Sequence, residues 1–402
     1  MRERFRVAIP FFMEVLIVLY VFHTSLPIFG YYTPAAVHAI IVLLLYGMLI
    51  QYDNNFGNHI KSVIPIFIIY VLSFIYSGFD NFEYEFYGML QILLFPLLSL
   101  YLMRNCSKKT LKRIIILICL SYFITAITTY IGNQIFPLAS RTLATLGQDD
   151  ETLMYDTYMK MNIGGFNFTY TLVLITPILM YMIRNKKIFF IIGVALIAIF
   201  SVVIVTTEYT TALLSFAMTV ICLIFMRKKF GWKIVALILT GVILFVFVFD
   251  QYILPYLENF IGVFESEAID TRLLELSKFT TNQASYEGDI GSRWELYNMS
   301  WESFYDSPII GSSDAKVGGH SYVFDNLGKF GVVGLFGMII MFRHINKSFY
   351  KPFKKSDIYG YVCFSLGLAI MLAILNPKDN IPVITFIIPI LASYYFKQNK
   401  LT

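Results

Sequence analysis

Apolar runs of about 17–21 residues recur along the chain with short polar breaks between them. They fall at 7–22, 34–50, 62–78, 86–103, 114–131 and 163–183. Six more follow at 188–206, 210–226, 233–249, 322–342, 358–375 and 381–395. A helix of that length matches the thickness of a hydrocarbon core. Lipid offers no water to bond a bare N–H or C=O, so each run is expected to be helical. The pattern predicts an all-α, polytopic membrane protein with about twelve transmembrane helices, one transmembrane domain spanning 1–402.

Composition agrees with lipid as the solvent. The chain is 57% hydrophobic and 14% charged, with a mean hydropathy of +0.68. Soluble domains carry about 25% charged residues, and a single water-soluble core stops growing near roughly 250–300 residues. Of the cysteines Cys106, Cys119, Cys222 and Cys363, the last three lie inside apolar runs, and no CxxC or CxH spacing occurs. Neither a disulfide framework nor a zinc site is suggested. The segment after Met1-Arg2-Glu3-Arg4-Phe5-Arg6 lacks a small-residue cleavage site and reads as a signal anchor.

Charge adds an orientation. Basic clusters occur at Arg2/Arg4/Arg6, 104–113, 184–187, 227–233, 343–355 and Lys397/Lys400. With twelve spans, all of them fall on one side, which the positive-inside rule makes cytoplasmic, with both termini there. Most acids lie toward the other side. The two long connections, 132–162 and 250–321, are then extracytoplasmic, and the cytoplasmic ones are short. The absence of a GxxxxGK[ST] motif argues against an ATP-driven pump.

The second long loop, 250–321, contains a readable helix. Ser292-Arg293-Trp294-Glu295 fits a capping box with Ser292 as N-cap. Trp294, Tyr297, Trp301, Phe304 and Tyr305 follow at helical spacing, up to Asp306-Ser307-Pro308. This aromatic stripe suits either a helix in the membrane interface or a lid packed on the bundle. Arg293 then falls in the first turn, where a cation opposes the helix dipole and an anionic ligand resolves the conflict. Downstream, Gly318-Gly319-His320-Ser321 stands at the lip of a span. An imidazole accepts a proton from a hydroxyl near neutral pH, or simply anchors the interface by hydrogen bonds. His23, His38, His59 and His344 read as interface or packing residues. Asp325, just inside the span, is either functional or paired with Lys329 at i+4.

The first loop, 132–162, carries Ser140-Arg141-Thr142 and the acidic trio Asp149-Asp150-Glu151. The trio reads as a solvated turn in preference to a metal site. A transferase outside the cytoplasm has no nucleotide supply, so its donor must already carry a leaving group. A lipid-linked sugar diphosphate meets that need, because arginines stabilise the departing diphosphate and a general base activates the acceptor hydroxyl. For Arg141 and Arg272, surface pairing with nearby acids is the plainer alternative.

The residues Gly291-Ser292-Arg293-Trp294, Ser307-Pro308-Ile309-Ile310-Gly311 and Gly319-His320-Ser321-Tyr322, continuing through Leu327-Gly328-Lys329-Phe330-Gly331 to Gly334-Leu335, carry a resemblance. The chain resembles the bacterial O-antigen polymerase and ligase family, which includes Wzy-type capsular and exopolysaccharide polymerases. The resemblance implies catalytic roles for Arg293 and His320, with Arg272 and Arg141 matched only by loop position as diphosphate-binding residues. Two departures stand out: Ser321 where an asparagine is common, and Thr207-Glu208-Tyr209 where many members have Ser-Arg.

The expected function is a polysaccharide polymerase in the bacterial cytoplasmic membrane. It transfers a growing glycan from undecaprenyl diphosphate to a lipid-linked repeat unit, without metal or cofactor and with inversion. Expected partners are that lipid-linked oligosaccharide, the bilayer, a chain-length regulator and a flippase; nucleic acid is not among them. Two rivals stay open, a ligase to another acceptor and a lipid-linked oligosaccharide flippase or other transporter. The topology is directly testable: reporter fusions after Lys229 and within 260–289 are expected to report opposite sides of the membrane, and the same side for both contradicts it.

Overall fold

The computed structural model describes residues 11–76, 82–145, 152–184, 190–225, 289–312, 315–378 and 380–399. Within them the apolar runs form helices, in the order α1 (Phe11–Ser25), α2 (Pro27–Tyr32), α3 (Ala35–Tyr52), α4 (Phe56–Tyr76) and α5 (Phe82–Asn105). Next come α6 (Lys108–Ile135), α7 (Ala139–Thr145), α8 (Thr152–Lys160), α9 (Phe166–Arg184), α10 (Phe190–Thr206) and α11 (Thr210–Phe225). After the 226–288 stretch follow α12 (Asp289–Asp306), α13 (Tyr322–Ile345), α14 (Tyr359–Leu375) and α15 (Ile388–Asn399).

Six of these helices, α3, α4, α5, α6, α9 and α13, are long and apolar enough to cross a membrane, while α1, α10, α11, α14 and α15 are apolar but shorter. Their outward faces carry Ile40, Leu43, Ile116, Leu120, Phe336 and Ile339 uncovered. So much exposed apolar surface fits a protein solvated by lipid tails. The expected span at 233–249 and the loop residues up to 288 lie outside the described residues.

Leaving lipid for another helix gains apolar side chains little, so close packing and internal polar bonds hold such a bundle. Its centre is α9, buried from Phe168 to Leu179 and packed against α10, α11 and α14. Elsewhere α1 packs on α3 and α6, α4 on α5 and α13, and α12 lies along α13. Buried hydroxyls return to their own helix: Thr171 donates to the Asn167 carbonyl and Thr176 to the Leu172 carbonyl, both at 2.7 Å. That bond satisfies a hydroxyl without a partner helix.

The two ends of the bundle differ. One carries Arg104, Lys108, Arg113, Arg184, Arg343 and Lys347 at helix ends. There Glu14 accepts from Arg113 Nη2 at 2.8 Å and from the Thr110 hydroxyl at 3.0 Å. At the same end Asp53 and His59 are buried and paired across the α3–α4 turn, with the Asn55 amide donating to Asp53 at 3.0 Å. His59 was expected only to pack; it is half of an ion-pair geometry. At the opposite end the rings of His23 and His38 stack at 3.4 Å, and Tyr87 Oη lies 2.5 Å from His38 Nδ1.

His59→Leu removes the partner of Asp53 Oδ2 and leaves the Asn55 amide on Oδ1; a buried acceptor left unsatisfied costs about 1–3 kcal/mol. The expected result in detergent is a lower Tm for His59→Leu, partly restored by adding Asp53→Asn. Equal losses in the single and double variants contradict the pairing.

Candidate active site

The turn that presents His320 is built by its neighbours. Ser321 caps α13, its hydroxyl accepting from the Phe324 amide at 3.1 Å. One turn further in, Asp325 sends its carboxylate back over the preceding loop. Asp325 Oδ1 accepts from the Ser300 hydroxyl at 2.7 Å and the Gly319 amide at 3.2 Å; Oδ2 accepts from the Ser321 amide at 3.2 Å. Ser300 Oγ in turn accepts from the Gly318 amide at 3.1 Å. Gly318 lies so close to α12 that a Cβ there would stand 2.1 Å from the Leu296 carbonyl oxygen. The i+4 ion pair with Lys329 is not formed; backbone amides and a serine occupy the carboxylate instead.

A second irregularity sits two turns below. α13 breaks at Gly331, whose φ of 59° and ψ of −152° are tolerated by glycine almost alone. The break frees two amides, and the turn after α12 takes them: Val332 donates to the Pro308 carbonyl at 2.9 Å and Val333 to the Ile309 carbonyl at 3.2 Å. The Pro-Ile-Ile-Gly sequence is therefore a plug seated in a broken helix.

Of the expected site residues, His320 is half-buried in this turn, and its side chain makes no hydrogen bond among the described residues. Arg293 belongs to α12, but not to its first turn. The helix begins at Asp289, so Ser292 has helical backbone and cannot serve as N-cap. A Ser-x-x-Glu spacing is equally compatible with a helix interior, which is why the capping-box reading fails. Arg293 thus sits in the second turn, two turns before Ser300. Arg272 and the acidic trio 149–151 lie outside the described residues.

α12 has one packed face and one exposed face. One face is a lid: Ser300 and Ser303 are buried, and Ser303 donates to the Lys316 carbonyl at 2.6 Å. The other face exposes Trp301 and Tyr305, continuing into exposed Ile309 and Ile310. The Trp301 ring packs on Phe304 and Tyr305 with centroids 5.4 and 5.5 Å away.

Arg141 is half-buried in α7, and its neighbour Ser140 is tied to the same end by a relay. Tyr209 donates to the Ser140 carbonyl at 2.6 Å, next to Arg141. Tyr209 packs on Tyr170 at 6.2 Å, Tyr170 donates to Asn376 Oδ1 at 3.4 Å, and the Asn376 carbonyl accepts from the Tyr322 amide at 2.9 Å. Burial pushes the Tyr209 hydroxyl above its ordinary value, Tyr170 adds to this, and the positive charge of Arg141 pulls it back. Beside Tyr209, Glu208 has a left-handed backbone (φ 54°) and one buried carboxylate oxygen without a hydrogen-bond partner among the described residues. Ser300 and Asn376 were not anticipated, and Tyr209 was noted only within Thr207-Glu208-Tyr209, where many family members have Ser-Arg; Ser300 had a readable signal in its seven-residue spacing from Arg293.

The fold and this polar end define a helical membrane protein with an arginine-bearing helix laid against a histidine turn. Residues 194–323 match the family model described as O-antigen ligase, a stretch running from α10 through α12 to the start of α13. That match supports a likeness to the O-antigen polymerase/ligase family over this stretch. No curated protein matches the chain.

Replacing Gly331 by Ala puts a Cβ 2.6 Å from the Pro308 and Ile309 carbonyl oxygens. Such backbone strain costs about 1–3 kcal/mol. We expect Gly331→Ala to lower the Tm in detergent by several degrees, roughly the shift that such a cost implies. Gly47→Ala, where a Cβ meets nothing within 4 Å, serves as the control and is expected to leave it unchanged. Equal melting of both variants contradicts the seated plug.

Proposed function

We propose that this protein is a polysaccharide polymerase of the bacterial cytoplasmic membrane, acting on the extracytoplasmic face. The supporting observation is the joining of α12, which bears Arg293, to the His320 turn, within the stretch that matches the family. A span at 233–249 completes a twelve-span topology in which the basic helix ends are cytoplasmic, as are both termini. The end carrying α7, α8 and α12 then faces outward.

In this reading the donor is a glycan on undecaprenyl diphosphate and the acceptor a lipid-linked repeat unit. His320 removes the proton from the acceptor hydroxyl. The resulting oxygen attacks the anomeric carbon, the bond from that carbon to the diphosphate oxygen breaks, and the configuration inverts. The electron pair leaves with undecaprenyl diphosphate, whose charge Arg293 neutralises together with Arg272 or Arg141. No metal or other cofactor enters the scheme. The exposed Trp301, Tyr305, Ile309 and Ile310 support a site at the level where a polyprenyl carrier meets its headgroup. A flippase and a chain-length regulator are the natural partners.

The family description itself favours a second reading, a ligase that delivers finished glycan to another acceptor. The same residues serve both, and the products separate them: a ladder of increasing repeats for a polymerase, one transfer per acceptor for a ligase. Removing a general base costs about 10²–10⁴-fold in rate. His320→Ala and Arg293→Ala are each expected to abolish polymer in cells that carry normal amounts of the protein. Full-length polymer from both variants refutes the assignment.

A further inference from the structure

We propose that Asp325 is a positioning residue that sets His320 against the arginine-bearing helix α12. The proposal rests on the reading of His320 as the base. The carboxylate is 9% exposed and its partner Ser300 1%. Burying a carboxylate is expensive unless several donors compensate, so its presence at the mouth of an apolar bundle calls for a role. Helix capping accounts for only part of it: the bond to the Ser321 amide complements the Ser321 cap of α13 in the manner of a capping box, whereas those from the Gly319 amide and the Ser300 hydroxyl lie outside any cap. The carboxylate bonds the two amides that flank His320 in sequence, Gly319 through Oδ1 and Ser321 through Oδ2. These bonds fix the 320–321 peptide, directly after the histidine, and the 318–319 peptide, one residue before it.

The same carboxylate takes the Ser300 hydroxyl, and Ser300 Oγ holds the Gly318 amide. Ser300 lies on α12 two turns beyond Arg293, so one acid fixes the histidine turn and ties it to the helix that carries the arginine. Asp325 does not touch the reacting atoms. It acts through the backbone, and a displacement of about 1 Å at a reacting group costs on the order of 10²-fold in rate.

The test compares full-length Asp325→Leu, Asp325→Asn and Asp325→Glu with the parent protein, purified with a lipid-linked repeat unit as substrate. Two readouts are taken: kcat and KM for chain extension, and amide hydrogen exchange over 317–322. Asp325→Leu is expected to lower kcat by about 100-fold with KM changed less than about threefold. Asp325→Asn falls between, and Asp325→Glu, which keeps both oxygens, recovers part of the loss. Exchange over 317–322 is expected to rise in Asp325→Leu while α9 stays protected. Unchanged exchange in Asp325→Leu overturns the inference whatever reaction the protein performs. Full activity in Asp325→Leu also overturns it, as does a loss in which kcat, KM and Tm decline together with no recovery in Asp325→Glu. A parent protein that extends nothing sinks the proposed function and this inference with it, while exchange still reports whether the carboxylate holds the turn.

Discussion

Irregular backbone at the end of an apolar bundle survives only if its freed N–H groups find partners within the protein. Everything distinctive about this structure follows from how that constraint is met between α12 and α13. One buried carboxylate, Asp325, takes the amides of Gly319 and Ser321. A hydroxyl, Ser300 Oγ, takes that of Gly318. Two carbonyls, of Pro308 and Ile309, take those that the break at Gly331 releases. These bonds tie the turn containing His320 to the start of α13 and, through Ser300, to α12.

That arrangement suits chemistry on a lipid-borne diphosphate. The reacting groups have to meet a headgroup at the edge of the bilayer, so they need a fixed polar surface beside an apolar one. α12 supplies both: its serine face is locked to the histidine turn, and its aromatic face stays uncovered. In the proposed reading, a cationic side chain at such an edge acts in a medium less polar than water, where its attraction for a leaving diphosphate is stronger. The opposite end, with Glu14–Arg113 and the buried Asp53–His59 pair, is built for stability.

The helices were legible because length and apolar character are properties of single runs. The starts of α3, α9, α13 and α14 fall within a few residues of where hydropathy places them. What failed was whatever depends on a partner distant in sequence. Asp325 was read against Lys329, one turn away, but its hydroxyl donor comes from 25 residues upstream and its other donors are backbone amides. No periodicity encodes such a choice. The start of α12 was misplaced because Ser292 and Glu295 have the spacing of a cap and of a helix interior alike. The link from Ser140 through Tyr209, Tyr170 and Asn376 joins four separate segments, and the His23–His38 stack joins two. The histidine and arginine were singled out from local sequence, first by their place at a helix start and at the lip of a span and then by a resemblance; the bonds around the histidine turn appear only in three dimensions.

The central claim is that this membrane protein joins sugars using the energy of a polyprenyl diphosphate leaving group alone. The most direct measurement gives the purified protein a lipid-linked repeat unit without nucleotide or added metal, and follows both glycan length and released polyprenyl diphosphate. The account predicts a ladder that grows by single repeats, with one diphosphate released for every linkage made. A folded protein that leaves the repeat unit unextended, or extends it only when nucleotide is supplied, contradicts it.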